Sequence, residues 1–172
     1  MKKTICMIFV FCLLVGFGSF LEPQEVVYKT PTIKEMGGFW YVYMEFNTTF
    51  DGATEKGLLF LDECRKQGIE SNMILEVFHT WSEDKEALRR WDMAYIVPKD
   101  TKVTAPLKMT KLEKFKAVVY THPGSFALNE IKESFRVVDE FMEKNGLKKI
   151  RPSYEIIYPE QQRMDIVSRV EK

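Results

Sequence analysis

Apolar and polar positions change period several times along this chain, and each change marks an element. Phe39-Trp-Tyr-Val-Tyr-Met-Glu-Phe46 is aromatic and β-branched, which predicts a strand, and Asn47-Thr-Thr-Phe-Asp-Gly52 supplies turn and cap chemistry behind it. A helix is predicted from Ala53 to Lys66, with Gly68 standing where a C-terminal glycine belongs. The apolar stretches Met73 to Phe78 and Trp91 to Val97 predict two further strands, and the charged run Ser82 to Arg90 between them reads as a hairpin loop.

The same order then returns. Phe115 to Tyr120 predicts a strand, and His122-Pro-Gly-Ser125 predicts a turn in which Ser125 caps the next helix. Leu128, Ile131, Phe135, Val138 and Met142 fall three and four apart, which is one face of a helix ending at Gly146. Tyr154 to Tyr158 and Met164 to Val170 complete the second set of strands around the polar stretch Pro159 to Arg163, and a short strand at Leu107 to Leu112 precedes the repeat. Lys66-Gln-Gly-Ile69 and Lys144-Asn-Gly-Leu147 close the two helices alike, with a glycine and then an apolar residue.

The predicted fold class is therefore α+β. Two strand-helix-strand-strand units, at about 37–100 and 105–171, form a mainly antiparallel curved sheet with both helices on one face. The uncovered face of that sheet, or the groove between its halves, is the natural place for a pocket.

The start of the chain obeys a different rule. Met1-Lys2-Lys3 is basic and Ile5 to Phe20 is an apolar run, the shape of an export signal, with Gly16 and Gly18 offering small residues for cleavage after Gly18. The alternative is an uncleaved membrane anchor, although about 16 apolar residues fall short of the roughly 20 that span a bilayer. Residues 1–20 are accordingly expected to be a signal peptide or anchor, 21–36 a linker carrying Pro23 and Pro31, and 37–172 the domain. The expected location is periplasmic or extracellular, or membrane-anchored if the segment stays, and that segment is the one expected membrane contact.

Export also changes the cysteine and charge accounts. Cys6 and Cys12 lie inside the apolar run, so Cys64 alone remains in a mature chain and no internal disulfide is expected. Removing Lys2 and Lys3 leaves 23 basic against 25 acidic side chains, interspersed, a balance that recruits neither nucleic acid nor anionic lipid. His79 and His122 are the two histidines, and with Cys64 they lack metal-ligand spacing. No metal and no cofactor is expected.

Tyr120-Thr-His122-Pro-Gly124-Ser-Phe126, the long helix to Asn145-Gly-Leu147, Pro152-Ser-Tyr-Glu155-Ile-Ile-Tyr158 and Met164-Asp-Ile-Val-Ser-Arg-Val170 together resemble the GyrI-like small-molecule-binding family, also called the bacterial effector-binding domain. The resemblance covers roughly 103–171, and Trp91-Asp-Met-Ala-Tyr-Ile-Val97 resembles the edge strand that closes a repeat. It implies a duplicated strand-helix-strand-strand fold that holds flat, often cationic or aromatic compounds between aromatic rings. It also implies a pocket carboxylate near the start of the penultimate strand, where Glu155 stands. Ile157 occupies the place where family members often carry an aromatic, and Tyr158 falls one residue later, which turns it to the opposite face. Some relatives act in transcription through a fused helix-turn-helix, and others sequester drugs, inhibit gyrase or hydrolyse strained electrophiles. The stretch before Gly37 is too short for a DNA-binding module, and export argues against a gyrase role.

Glu155, flanked by Tyr154, Ile156 and Ile157, faces either solvent or a cavity, and in a cavity its pKa rises unless a cation pairs with it. Tyr41, Tyr43, Phe78, Trp91, Tyr95 and Tyr120 are the candidate stacking faces, or else simply core. Period-two alternation sends Phe39, Tyr41, Tyr43 and Glu45 to one face of the first strand, the better pocket candidate, and Trp40, Val42, Met44 and Phe46 to the other, which suits packing under a helix. Tyr154 points away from Glu155. The expected function is an extracytoplasmic protein that binds a flat aromatic or cationic small molecule with Glu155 as counter-charge. Two alternatives stay open: a hydrolase of small reactive electrophiles using Glu155 as general base, and a non-catalytic protein-interaction module.

Overall fold

The computed structural model describes residues 30–49, 51–80, 82, 84, 86–122 and 128–171. The export segment and Ser125 lie outside the described residues. In chain order the elements are β1 (Thr32–Met36), β2 (Phe39–Thr48), α1 (Ala53–Lys66), β3 (Ile74–Phe78), β4 (Arg89–Val97), β5 (Lys108–Leu112), β6 (Phe115–His122), α2 (Leu128–Lys144), β7 (Lys148–Tyr158) and β8 (Arg163–Glu171). One strand-helix-strand-strand unit is β2-α1-β3-β4 and the other is β6-α2-β7-β8. The α+β reading holds: two helices cover one face of an antiparallel, curled sheet of order β1-β6-β8-β7-β3-β4-β2-β5.

Both helices close as their sequences require. Ile69 N–H donates to the Cys64 carbonyl and Leu147 N–H to the Met142 carbonyl, each at 2.9 Å, around Gly68 at φ +67° and Gly146 at φ +60°. These are two copies of one Schellman closure, which needs a left-handed residue. Each helix then points its apolar stripe at its own half of the sheet: Phe60 and Cys64 of α1 over β2 and β4, Val138 and Met142 of α2 over β6, β7 and β8. Between them β3 and β7 meet at the centre, and that contact joins the two units.

The units meet a second time, on the opposite side. Residues 32–36 were expected to belong to a linker, but they form β1 and pair with β6, Thr32 opposite Val119 and Met36 opposite Phe115. The same running register continues in β2 and β5, Phe39 opposite Leu112 and Tyr43 opposite Lys108. Strand 32–48 therefore lies against strand 108–122 as one ladder, kinked at Gly37-Gly38. Hydrogen bonding runs β2-β4-β3-β7-β8-β6 and returns to its start through this seam. The segment Thr-Ile-Lys-Glu-Met has no apolar period because β1 is largely exposed, so hydrophobic pattern could not announce it.

Curling encloses the face that carries no helix. Leu75, Val77, Ala94, Ala117, Tyr154, Ile156 and Val167 are all buried there, with Phe115 stacked on Tyr154 at a ring separation of 5.1 Å. β7 is longer than the predicted Tyr154 to Tyr158, extending back to Lys148 with a register shift between Lys149 and Ser153. The shift lets Pro152 sit within a paired strand without a missing ladder bond.

The seam rests on one glycine. Gly37 has φ +92°, and a Cβ there would lie 2.3 Å from the Glu113 carbonyl oxygen, a backbone atom that cannot swing aside. Gly37→Ala is expected to destabilise the fold by about 3 kcal/mol or more, through left-handed strain and the clash together. Gly146→Ala, also left-handed but with nothing within 4 Å of its would-be Cβ, is expected to lose only about 1 kcal/mol. Urea unfolding of the two variants checks this; equal losses would refute the seam assignment.

Candidate functional site

The β3–β7 contact sets Glu76 directly opposite Glu155. Both side chains point to the helix-bearing face, because the residues alternating with them, Ile74, Phe78 and Ile157, belong to the core under the helices. One transverse row crosses the sheet there: Met44, Met93, Glu76, Glu155, Ile166 and Tyr120, from β2 through β4, β3, β7 and β8 to β6. Two carboxyl groups thus lie side by side at the middle of the helix-bearing face, between the strands under α1 and those under α2, with thioether, aliphatic and phenolic neighbours on either side.

Glu155 is 9 % exposed and Glu76 is half-buried. Loss of water pushes Glu76 from its ordinary value of 4.5 up to about 7. The Glu155 carboxyl is held well above the ordinary range, first by burial and then by the charge of Glu76 beside it. A side-chain hydrogen bond links the two, so the pair titrates as one unit around a shared proton. Among the described residues no basic side chain contributes to either group. A buried anion is ordinarily paired with a cation or neutralised, and among the described residues a proton is the neutraliser left to this pair.

Four of the candidate rings share this face. Phe78 follows Glu76 by two residues and lies opposite Trp91, which contacts Phe46 at 5.3 Å. Tyr95 lies opposite Ile74 on the other side of the glutamate row, with its ring edge-on to Phe60 of α1 at 5.1 Å. Burial raises the Tyr95 phenol, so it stays a neutral donor. Tyr120 ends the glutamate row on β6 and is buried. Beyond it His122, expected in a turn, is the last residue of β6, fully packed with Nδ1 2.7 Å from Ser134 Oγ of α2, so it ties helix to strand.

Tyr41 and Tyr43 are not with them. They lie on the enclosed face, 5.3 Å apart ring to ring, packed with Leu75, Ala94 and Tyr154. This corrects the expectation that the Tyr41/Tyr43/Glu45 face lines the pocket with Glu155. Alternation within β2 was right, but which side carries Glu155 depends on register through β4 and β3, which no local pattern records. Tyr158 also turns to the enclosed side, where its ring carries the Arg163 guanidinium at 3.8 Å.

Glu76 was missed. Its signal was present, an acid embedded in the apolar strand Ile74 to Phe78 at the place in the first unit that Glu155 holds in the second. Reading the two units against each other at residue level would have found it.

No protein-family model matches the chain, and no curated protein matches it. Solved structures do. The EcmrR C-terminal domain superposes with a TM-score of 0.66 at 18% identity, covering 85% of this chain and 99% of that one. A hydrolase from Listeria innocua gives 0.57 at 15% identity, over 84% and 93%. SAV2435 bound to tetraphenylphosphonium gives 0.54 at 11% identity, over 83% and 94%. At such identities the likeness is one of fold, and the fold is that of GyrI-like effector-binding domains.

The buried pair fixes the sign of a pH effect. Folded-state values raised above the unfolded ones mean that folding takes up protons, so the pair's contribution is intact below about pH 4.5 and is lost as pH rises through 7. A Glu76→Gln/Glu155→Gln double variant is expected to gain about 2–3 kcal/mol on wild type between pH 5 and 8.5. Chemical denaturation at several pH values measures it; a parallel pair of curves would show that the carboxyls are solvated.

Proposed function

We propose that this protein is a receptor for a flat, apolar organic cation, which it holds in the groove between α1 and α2 with Glu155 as counter-charge. The observation that carries the reading is the buried carboxyl pair without a protein cation among the described residues. Phe78, Trp91, Tyr95 and Tyr120 on the same face supply ring surfaces for a ligand that is apolar as well as charged. The tetraphenylphosphonium bound by SAV2435, a protein of the same fold, is an apolar, aromatic organic cation, although tetrahedral rather than flat. The basic start and apolar run of residues 1–20 support a receptor working outside the cytoplasm, exported or tethered.

Tetraphenylphosphonium is the probe. Calorimetric titration is expected to show binding that strengthens up to about tenfold per pH unit below 7 and levels off above, since cation and proton compete for the same carboxyls. Glu155→Gln is expected to weaken binding by about 2 kcal/mol or more. Affinity indifferent to pH and to that substitution would reject the site.

A second reading has one observation in its favour. A carboxyl pair sharing a proton holds a general base and a general acid side by side, and a hydrolase shares the fold. Glu155 would activate water against a bound electrophile. Turnover of an epoxide or lactone panel, abolished in Glu155→Gln, distinguishes it from simple binding.

A further inference from the structure

Glu155 alone suffices to neutralise a single positive charge, yet the middle of the helix-bearing face carries two carboxyls. Glu76 and Glu155 are direct cross-strand partners on the central strand pair, with Met93 on one flank and Ile166 on the other. Cross-strand partners keep their Cβ atoms about 5 Å apart, so both carboxyl groups reach one ligand. We propose that Glu76 and Glu155 act together as the receptor for a doubly charged, flat organic cation, each carboxylate facing one positive ring. This rests on the cation-binding reading above and specifies the charge of its ligand.

The physical case is one of compensation. Ionising the second carboxyl beside the first, away from water, is the costliest state of the site, because desolvation and like-charge repulsion act together. A single positive charge offsets one of the two and leaves the other needing its proton. Two positive centres offset both, so the dication gains what the protein itself withholds.

The surroundings do not compete for this role. On β4 the titratable groups of this face are Tyr95 and, at the start of the strand, the buried Arg89, whose guanidinium donates to the Ser82, Ala87 and Asp84 carbonyls, and on β6 they are Tyr120 and His122, the latter engaged with Ser134. α1 brings Cys64, whose thiol burial pushes up to about 12, and the described inward residues Ser134, Val138 and Met142 of α2 are uncharged. On β2, β7 and β8 the residues of this face beside the pair are Met44, Phe46, Ser153, Ile157, Met164 and Ser168. Ser168 Oγ is fully buried with no hydrogen-bond partner among the described residues, one row from Glu155 on the adjacent strand, and it can serve a ligand or a carboxylate as a donor.

Methyl viologen and N-methyl-4-phenylpyridinium test this as a matched pair, since both are flat two-ring cations of nearly the same shape with two charges and one. Calorimetry on the full domain at pH 8 is expected to show methyl viologen binding at least about tenfold tighter. Glu76→Gln, isosteric and uncharged, is expected to remove that preference. In wild type at pH 6.5, titration in buffers of different ionisation enthalpy is expected to show more protons released per viologen than per phenylpyridinium, a readout that needs no variant. Equal affinities, or a preference that survives Glu76→Gln, overturn the proposal while leaving the cation receptor standing. Failure of both cations, and of tetraphenylphosphonium, overturns the receptor reading with it.

Discussion

The seam between strands 32–48 and 108–122 is the constraint on which the rest of the molecule depends. A sheet of this length with free ends would expose Tyr41, Leu75, Val77, Tyr154 and Val167 to water, since no helix covers them. Joining the ends buries that face and leaves only the outer sides of the short strands β1 and β5 unpaired. The join requires a sharp kink in one strand close to the backbone of the other. Gly37 and Gly38 provide it at φ +92° and +81°, and the Gly38 N–H reaches the Leu112 carbonyl at 2.6 Å. The equivalent residues of the other strand, Glu113 and Lys114, need no glycine, and Lys114 reaches back to Glu35 at 2.7 Å.

With the seam at one side and β3–β7 at the other, the two units are related by an approximate two-fold axis through both contacts. Buried acids show how nearly the halves agree. Asp92 lies opposite Val77, and Asp165 lies opposite Ile156, at equivalent positions on the enclosed face. Each has found a partner within its own unit: His79 Nε2 at 2.9 Å from Asp92, and Thr121 Oγ1 at 2.7 Å from Asp165. Away from the axis, then, each buried carboxylate has a local side-chain partner, and the duplicated units have diverged in what that partner is, while Asp92 Oδ1 is buried without a hydrogen-bond partner among the described residues.

The sequence was informative where information is local. Helix ends, strand alternation and the element order were legible because glycine at a left-handed C-cap, period-two patterning and repeat order are properties of short segments. Glu155 was legible because an acid set between Tyr154 and Ile156-Ile157 stands out. The face that Tyr41 and Tyr43 occupy was not, since it is set by pairing through β4 and β3 to β7. β1 was invisible for a related reason: a polar, largely exposed strand is defined by its partner β6 rather than by its own composition. Glu76 lay between these cases, written in the local pattern but meaningful only beside its counterpart.

That counterpart is forced by symmetry. In an antiparallel pair lying on a two-fold axis, the residue nearest the axis faces its own equivalent. An acid retained at that position in both units must therefore face an acid, whatever the rest of the fold does. Asp92 and Asp165 escape this because they sit off the axis and meet different neighbours. Glu76 and Glu155 cannot escape it without substitution, and uncharged residues there would relieve the desolvation that raises both groups. Among the described residues, this carboxyl pair has no cation beside it, on the helix-bearing face between α1 and α2. Stability alone gives no reason to keep that pair, whereas binding something positive does.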